Sequence, residues 1–160
     1  MVQVGAANYS EKLLVGYRWF DAMHLRPAFC FGHGESYSKF AYRSIKVGGS
    51  ATKAFTVNFT LVNTGAVEAA EIAQLYVSFP VGAGEPLRQL KGAQKVLLAP
   101  GGTTEVSFVL TAEALSVWNA EQHGEPHGWR GVPGQFGLFV GASSCDLRLN
   151  TTLQVPEEDV

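Results

Sequence analysis

Carboxylates and histidines are the side chains of this sequence that could do chemistry. One form of acid–base hydrolysis, the cleavage of glycosidic bonds, uses two carboxylates that flank one bond, roughly 5–10 Å apart. The acidic residues before the C-terminal tail include Asp21, Glu35, Glu68, Glu71, Glu85, Glu105, Glu113, Glu121 and Glu125. Most of them stand in turns or at outward strand positions, where solvated carboxylates are the usual case. The sequence therefore selects no catalytic pair.

Two of the four histidines have the spacing of a metal site. His123 and His127 stand four apart with Glu125 between them, and a helix would place both on one face. Glycines and a proline interrupt this stretch, so the pattern favours a loop and we predict no metal ligand. His33, in a glycine-rich run, is expected to hydrogen-bond the backbone of a tight turn rather than act as a base. No phosphate-binding, dinucleotide-binding or nucleophile-elbow motif occurs, so no cofactor is predicted.

Arg88, Gln89 and Lys91 form a polar cluster between apolar strands. One interpretation is an edge or loop that bonds nearby backbone. The other is docking on a neighbouring domain through Arg88 and Lys91, because the guanidinium fork of arginine suits carboxylates. The sequence leaves both interpretations open.

Two tryptophans raise the question of sugar binding, because an exposed indole offers a flat apolar surface to a sugar ring. Trp118 stands beside Leu115 and Val117 and is expected to pack in the core or at its rim. Trp129 lies in a loop at residues 124–133 and is the better candidate for a sugar contact.

Length and charge limit the function further. The 160 residues suit one domain with a substantial core. A net charge of −2 without a basic run argues against nucleic acid or an anionic membrane as a partner. No apolar stretch has the roughly 18 residues of a membrane helix, and no signal peptide is expected after Met1.

The two cysteines, Cys30 and Cys145, stand far apart in the sequence. Sequence alone gives no distance between their Cα atoms, so a disulfide stays open. The expectation is two free, partly buried thiols, because free cysteine is commonly buried.

Apolar residues alternate with polar ones from Tyr42 onward, which is the period of half-buried strands. The alternating stretches are residues 55–61, 73–79, 106–110, 136–140 and 147–155, with a shorter apolar run at 96–98. Turn residues such as Pro100-Gly101-Gly102 separate them. The pattern predicts an all-β sandwich of about seven strands. Residues 111–117 are expected to form one helical turn, capped by Thr111.

Residues 1–41 carry aromatics and glycines in irregular order. We interpret them as an extended irregular segment with tight turns, whose aromatic side chains need a surface to pack on. By itself the segment is expected either to be poorly ordered or to cover the flank of the sandwich. The predicted interdomain docking residues are Tyr17, Arg18, Trp19, Phe20, His33, Arg88 and Lys91.

Two groups of motifs, which follow each other along the chain, resemble those of one protein family. Val15-Gly16-Tyr17-Arg18-Trp19-Phe20-Asp21 and Phe31-Gly32-His33-Gly34 resemble the end of the α/β sandwich domain of glycoside hydrolase family 3 β-glucosidases. Behind them, Val62-Asn63-Thr64-Gly65, Gln74-Leu75-Tyr76-Val77 and Arg88-Gln89-Leu90-Lys91-Gly92 resemble the fibronectin type III-like domain of the same family. The similarity spans nearly the whole chain. It implies an immunoglobulin- or fibronectin type III-like sandwich at residues 42–156, preceded by the α/β-domain tail and linker at 1–41 and followed by a frayed tail at 157–160.

The resemblance also implies a function. In that family the nucleophile is an aspartate of an upstream barrel and the acid/base is a glutamate of the α/β sandwich domain. No residue here matches either position, so no catalytic residue is transferred and the chain alone is not expected to be an enzyme. It would stabilise and dock on the barrel and α/β sandwich domains of a secreted or periplasmic β-glucosidase that hydrolyses O-glycosyl bonds. The alternative is a stand-alone module that binds polysaccharide or another cell-wall polymer.

Overall fold

Strands make up most of the chain. The computed structural model describes residue 5 and residues 9–50, 54–120 and 127–157. Within these ranges one α-helix, α1 (Tyr17–Ala22), precedes nine strands. The strands are β1 (Phe40–Ser50), β2 (Ala54–Asn63), β3 (Ala69–Ser78), β4 (Gln89–Leu98), β5 (Thr103–Leu110), β6 (Ser116–Asn119), β7 (Gly128–Gly131), β8 (Gly134–Gly141) and β9 (Leu147–Val155).

Two antiparallel sheets form the sandwich. One has three strands in the order β1-β2-β5, and the other has four in the order β4-β3-β8-β9. Together they confirm the predicted all-β, fibronectin type III-like sandwich of about seven strands. The remaining strands, β6 and β7, pair with each other as a separate hairpin.

The core lies between the two sheets, where alternation along the strands sends one set of side chains. Fully enclosed members include Val57, Phe59, Leu61, Leu75, Val77, Leu110, Phe136, Leu138 and Val140. Phe59 stacks between Tyr42 and Phe108, at ring-centroid distances of 5.6 Å and 6.1 Å. Burial of each such side chain stabilises the fold by about 1.5–3 kcal/mol.

Asn63 is a buried polar side chain at the end of β2. Its Nδ2 donates to the carbonyl oxygens of Val67 at 2.8 Å and Leu98 at 2.9 Å. Its Oδ1 accepts from the Gly65 backbone N–H at 3.0 Å and from the Ser38 hydroxyl at 2.6 Å. Because its polar atoms are all paired, Asn63 joins both sheets without the cost of an unsatisfied buried group.

The structure extends one predicted strand and confirms the predicted turn. β4 begins at Gln89, so it includes part of the polar cluster that the sequence placed between strands. β4 is an edge strand, and edge strands commonly carry charged side chains. The helical turn is a 3₁₀ turn over Glu113–Leu115, where the Thr111 hydroxyl accepts from the Ala114 N–H at 3.4 Å.

Some predictions fall outside the described residues. They concern His123 and Glu125 of the histidine pair and residues 158–160 of the frayed tail. β1 begins at Phe40, and the domain boundaries stay predictions. Over the described ranges, no helix has the length and apolar character to cross a membrane.

Candidate interdomain surface

The N-terminal segment (residues 9–39) lies against the outer face of the four-stranded sheet. On β3, Leu75 and Val77 belong to the core, so alternation turns Tyr76 toward the outer face. The ring of Tyr17 on α1 meets the Tyr76 ring edge-on at 5.9 Å between centroids. Its hydroxyl accepts a hydrogen bond from the Leu90 N–H at 2.8 Å. The segment therefore covers the flank of the sandwich, which is one of the two predicted arrangements.

Gln74 connects the segment to two strands. Its side chain is buried, and its Nε2 donates to the carbonyl oxygens of Gly32 at 3.1 Å and Ala142 at 2.7 Å. Its Oε1 accepts from the Tyr76 hydroxyl at 2.6 Å. Burial raises the pKa of Tyr76 well above its usual value, so this hydroxyl stays a donor.

The Phe-Gly-His-Gly run fits closely over Gln74. Gly32 has a φ of +77°, and a Cβ there would lie 2.3 Å from Gln74 Oε1. Both the backbone conformation and the close approach require glycine at this position. Close packing against Gln74 thus explains why the motif has glycine at position 32.

A disulfide joins Cys30 to Cys145, whose Cα atoms are 5.9 Å apart. The expectation of two free thiols is therefore wrong. The fold brings together residues 115 positions apart, a proximity that local sequence does not report. Beside the bridge, the Ser144 N–H donates to the Phe31 carbonyl at 2.9 Å. The segment is tied by these contacts to the turn between β8 and β9.

Arg88 pairs with Asp21 of α1, with 2.9 Å between nitrogen and oxygen. The side chains are 26% and 12% exposed. The contact is electrostatic, because Asp21 Oδ2 is buried and its geometry makes no hydrogen bond. Nearby, the Lys91 ammonium lies 5.2 Å from the centre of the Phe79 ring, and burial lowers the pKa of Lys91. Of the predicted polar cluster, Arg88 therefore meets a carboxylate that its own chain supplies.

The segment also exposes many apolar side chains to solvent. Trp19 and Phe20 line a shallow cup of about 380 Å³ together with Glu11, Leu14 and Val15. We call the exposed apolar side chains of residues 13–29 the outer apolar surface, and they are Leu13, Val15, Trp19, Phe20, Met23, Leu25 and Phe29. Large exposed apolar surfaces commonly mark sites of contact with another protein or domain.

The predicted docking residues divide between the two sides of the segment. Tyr17 and Arg88 contact the chain itself, and the Arg18 guanidinium lies 5.9 Å from the Tyr17 ring centre. Trp19 and Phe20 face outward, with 40% and 37% of their surface exposed. Their docking role stays a prediction, and the outward pair is the better placed to contact another domain.

His33 is exposed beside the disulfide. Its ring stacks on Phe29 at 5.8 Å between centroids. Its backbone N–H donates to the Cys30 carbonyl at 2.9 Å, which closes a tight turn there. A docking role for His33 also stays a prediction.

The tryptophans of the β6–β7 hairpin lie side by side. Trp118 and Trp129 are paired across the strands, with ring centroids 5.5 Å apart and ring planes at 79°. They are 54% and 55% exposed. The expectation that Trp118 packs in the core or at its rim is wrong, because Val117 next to it packs on the core instead. A sugar contact at Trp129 stays a prediction.

The carboxylates beside the segment are held by cations and hydroxyls. Arg148 binds both oxygens of Asp146, at 3.0 Å through Nε and 2.6 Å through Nη2. These bonds hold the pKa of Asp146 below its usual range, so Asp146 is suited to an ion pair rather than to a general acid. Glu71 accepts from the Tyr42 hydroxyl at 2.9 Å. Across the described ranges, no three His, Cys, Asp or Glu side chains converge as a metal ion would require.

The sequence of this chain is similar to sequences of known proteins. Residues 71–144 match the family described as the fibronectin type III-like domain. The chain is 41% identical to β-glucosidase cel3A of Pyricularia oryzae, over 94% of the chain and 23% of the relative. It is 38% identical to probable β-glucosidase D of Aspergillus flavus, over 91% of the chain and 21% of the relative.

The chain is also similar to part of the solved structures of longer proteins. The β-D-glucoside glucohydrolase of Trichoderma reesei superposes with a TM-score of 0.84 at 36% identity, over 97% of this chain and 24% of that one. The GH3 β-glucosidase of Bifidobacterium adolescentis superposes with a TM-score of 0.84 at 30% identity, over 96% and 23%. The chain thus spans less than a quarter of the length of these proteins.

Proposed function

We propose that the chain is a non-catalytic part of a family 3 β-glucosidase, because residues 71–144 match the fibronectin type III-like domain family. It stabilises the other domains of that enzyme and docks on them through its outer apolar surface. Its partners are the barrel and the α/β sandwich domain that the family resemblance implies, and hydrolysis takes place on those domains.

The observation that carries this proposal is the two-sided N-terminal segment. Its inner side is fixed to the sandwich by the disulfide, the Tyr17–Tyr76 contact and the Asp21–Arg88 pair. Its outer side exposes Trp19, Phe20 and neighbouring apolar side chains. Since the relatives are more than four times longer than the matched part, such an enzyme has ample further chain to cover this surface.

The charged groups support a non-catalytic role. Asp21 is paired with Arg88, and Asp146 is paired with Arg148. A general acid for glycoside hydrolysis needs a carboxyl pKa that is raised, whereas the pKa of Asp146 is lowered by its hydrogen bonds to Arg148. These carboxylates serve the fold.

The disulfide supports a secreted or periplasmic location for the enzyme. Cys30 and Cys145 are bonded to each other, and disulfides persist mainly in oxidising compartments outside the cytosol.

A chimera tests the proposal. The part of Pyricularia oryzae cel3A that matches this chain is replaced by the chain, and release of aryl alcohol from an aryl β-glucoside is measured. We expect activity from the chimera and none from the chain alone. Trp19→Asp should lower the yield of soluble, active chimera by about tenfold or more, because it buries an uncompensated charge against an apolar partner.

The matched control is Val109→Asp, which changes an exposed apolar residue of β5 on the other sheet. This variant should leave the chimera active. Equal loss in both variants, or hydrolysis by the chain alone that a Glu or Asp substitution abolishes, would contradict the proposal.

A further inference from the structure

The β6–β7 hairpin has two unlike faces. Strand pairing sets Trp118 opposite Trp129 and Val117 opposite Arg130. Because side chains alternate along a strand, the two pairs face opposite ways. Val117 packs against the core together with Val132, which leaves both indoles on the outward face. Their exposure therefore follows from how the hairpin is seated.

The outward face is a small aromatic platform. Both indoles are more than half exposed, at 54% and 55%. Their ring planes meet at 79° in an edge-to-face contact, which leaves more than half of each indole exposed. The imidazole of His127 lies 6.1 Å from Trp118 and adds a hydrogen-bonding group at the border of the platform.

The charges around the platform favour a neutral ligand. In the described part of the hairpin, residues 116–119 and 127–131, the ionisable side chains are His127 and Arg130. Arg130 belongs to the face of Val117, so among the described residues of the hairpin the platform carries neither a carboxylate nor an arginine. An aromatic surface of this kind, with a polar group at its border, suits a ligand that is flat, apolar on its faces and rich in hydroxyls at its edges.

We propose that Trp118 and Trp129 form a stacking platform for a chain of β-linked glucosyl units. A β-linked glucosyl ring has equatorial substituents, so both ring faces present C–H groups and the hydroxyls point outward. One ring would stack on an indole face while a hydroxyl bonds His127. This goes beyond docking, because none of these residues belongs to the N-terminal segment or the outer apolar surface.

Calorimetric titration of the 160-residue chain with cellohexaose tests the platform. We expect binding by the unmodified chain, weakened about tenfold by Trp118→Ala and by Trp129→Ala. Trp129→Phe should retain an intermediate affinity, because a smaller aromatic face remains. Maltohexaose, with α-linked glucosyl units, should bind more weakly than cellohexaose.

The matched control is Trp19→Ala, which removes the third tryptophan from the outer apolar surface. It should leave cellohexaose affinity unchanged. Thermal unfolding of each variant verifies that the fold persists, which is expected because the substituted indoles are exposed. Absence of cellohexaose binding, equal binding of maltohexaose, or equal loss in Trp19→Ala would overturn the platform. None of these results bears on the chimera, so the two proposals fail separately.

Discussion

The sandwich and the N-terminal segment lie side by side but are held by different kinds of interaction. The sandwich is stabilised by many enclosed apolar side chains distributed over both sheets. The segment is held by separate contacts, among them the disulfide, the ring contact of Tyr17 with Tyr76, the Asp21–Arg88 ion pair and hydrogen bonds to Gln74, Leu90 and Ser144. The difference shows why the sandwich can be self-sufficient while the segment still exposes apolar side chains that another domain could cover.

The largest effect is expected in the core. Phe59→Ala should lower the free energy of unfolding by about 3–5 kcal/mol, because it leaves a cavity between Tyr42 and Phe108. Urea unfolding followed by circular dichroism measures this loss. Val109→Ala, at an exposed position, should change the free energy of unfolding by no more than about 0.5 kcal/mol. A loss at Phe59 no greater than that at Val109 would show that the core is not the dominant source of stability.

The disulfide comes next. Replacing both Cys30 and Cys145 by serine should cost about 2–4 kcal/mol of unfolding free energy, because the bridge constrains the unfolded chain. Urea unfolding measures the loss. Hydrogen exchange should show the greatest local change around residues 30–34, where the bridge holds the segment to the turn after β8.

Reducing agent supplies the control for the disulfide. It should destabilise the unmodified chain to the level of the double serine variant and leave that variant unchanged. If reduction had no effect on the unmodified chain, the bridge would not contribute to stability.

The ion pair should give the smallest effect. Arg88→Met removes the partner of Asp21, whose side chain is only 12% exposed. Local opening of α1 should become easier by about 1–2 kcal/mol, seen as faster hydrogen exchange over Tyr17–Ala22 with little change in global unfolding. Arg43→Met, at an exposed arginine of β1, is the matched control and should leave exchange in α1 unaltered. Equal acceleration in both variants would remove the specific role of the pair.

The two regions also differ in how far the sequence predicts them. Alternation of period two predicted the sandwich. The spacing of Phe55, Val57 and Phe59 along one strand is enough to predict which face of that strand is buried, and no distant residue is needed. The contacts of the segment depend on residues far apart in the chain. No local sequence pattern predicts that Asp21 pairs with Arg88, or that Cys30 is bonded to Cys145.

Two further residues show the limit of period-two patterns. Gln74 and Tyr76 look like ordinary outward positions of β3, although both are buried beneath the segment. The sequence gives one indication of this burial: Tyr76 is a large aromatic residue at a position expected to face solvent. Such a residue is typical of a strand that is covered on both faces. The prediction for Trp118 was wrong for the opposite reason. Its apolar neighbours suggested that it is buried, whereas the hairpin turns its side chain outward.

Hydrogen exchange on the isolated chain and on the chimera tests the central claim most directly. The account predicts that amides of residues 13–25 gain protection in the chimera, because the outer apolar surface is covered there, while amides of Thr103–Leu110 in β5 keep the same exchange rates. Unchanged exchange at residues 13–25, or an equal gain in β5, would contradict docking through the N-terminal segment.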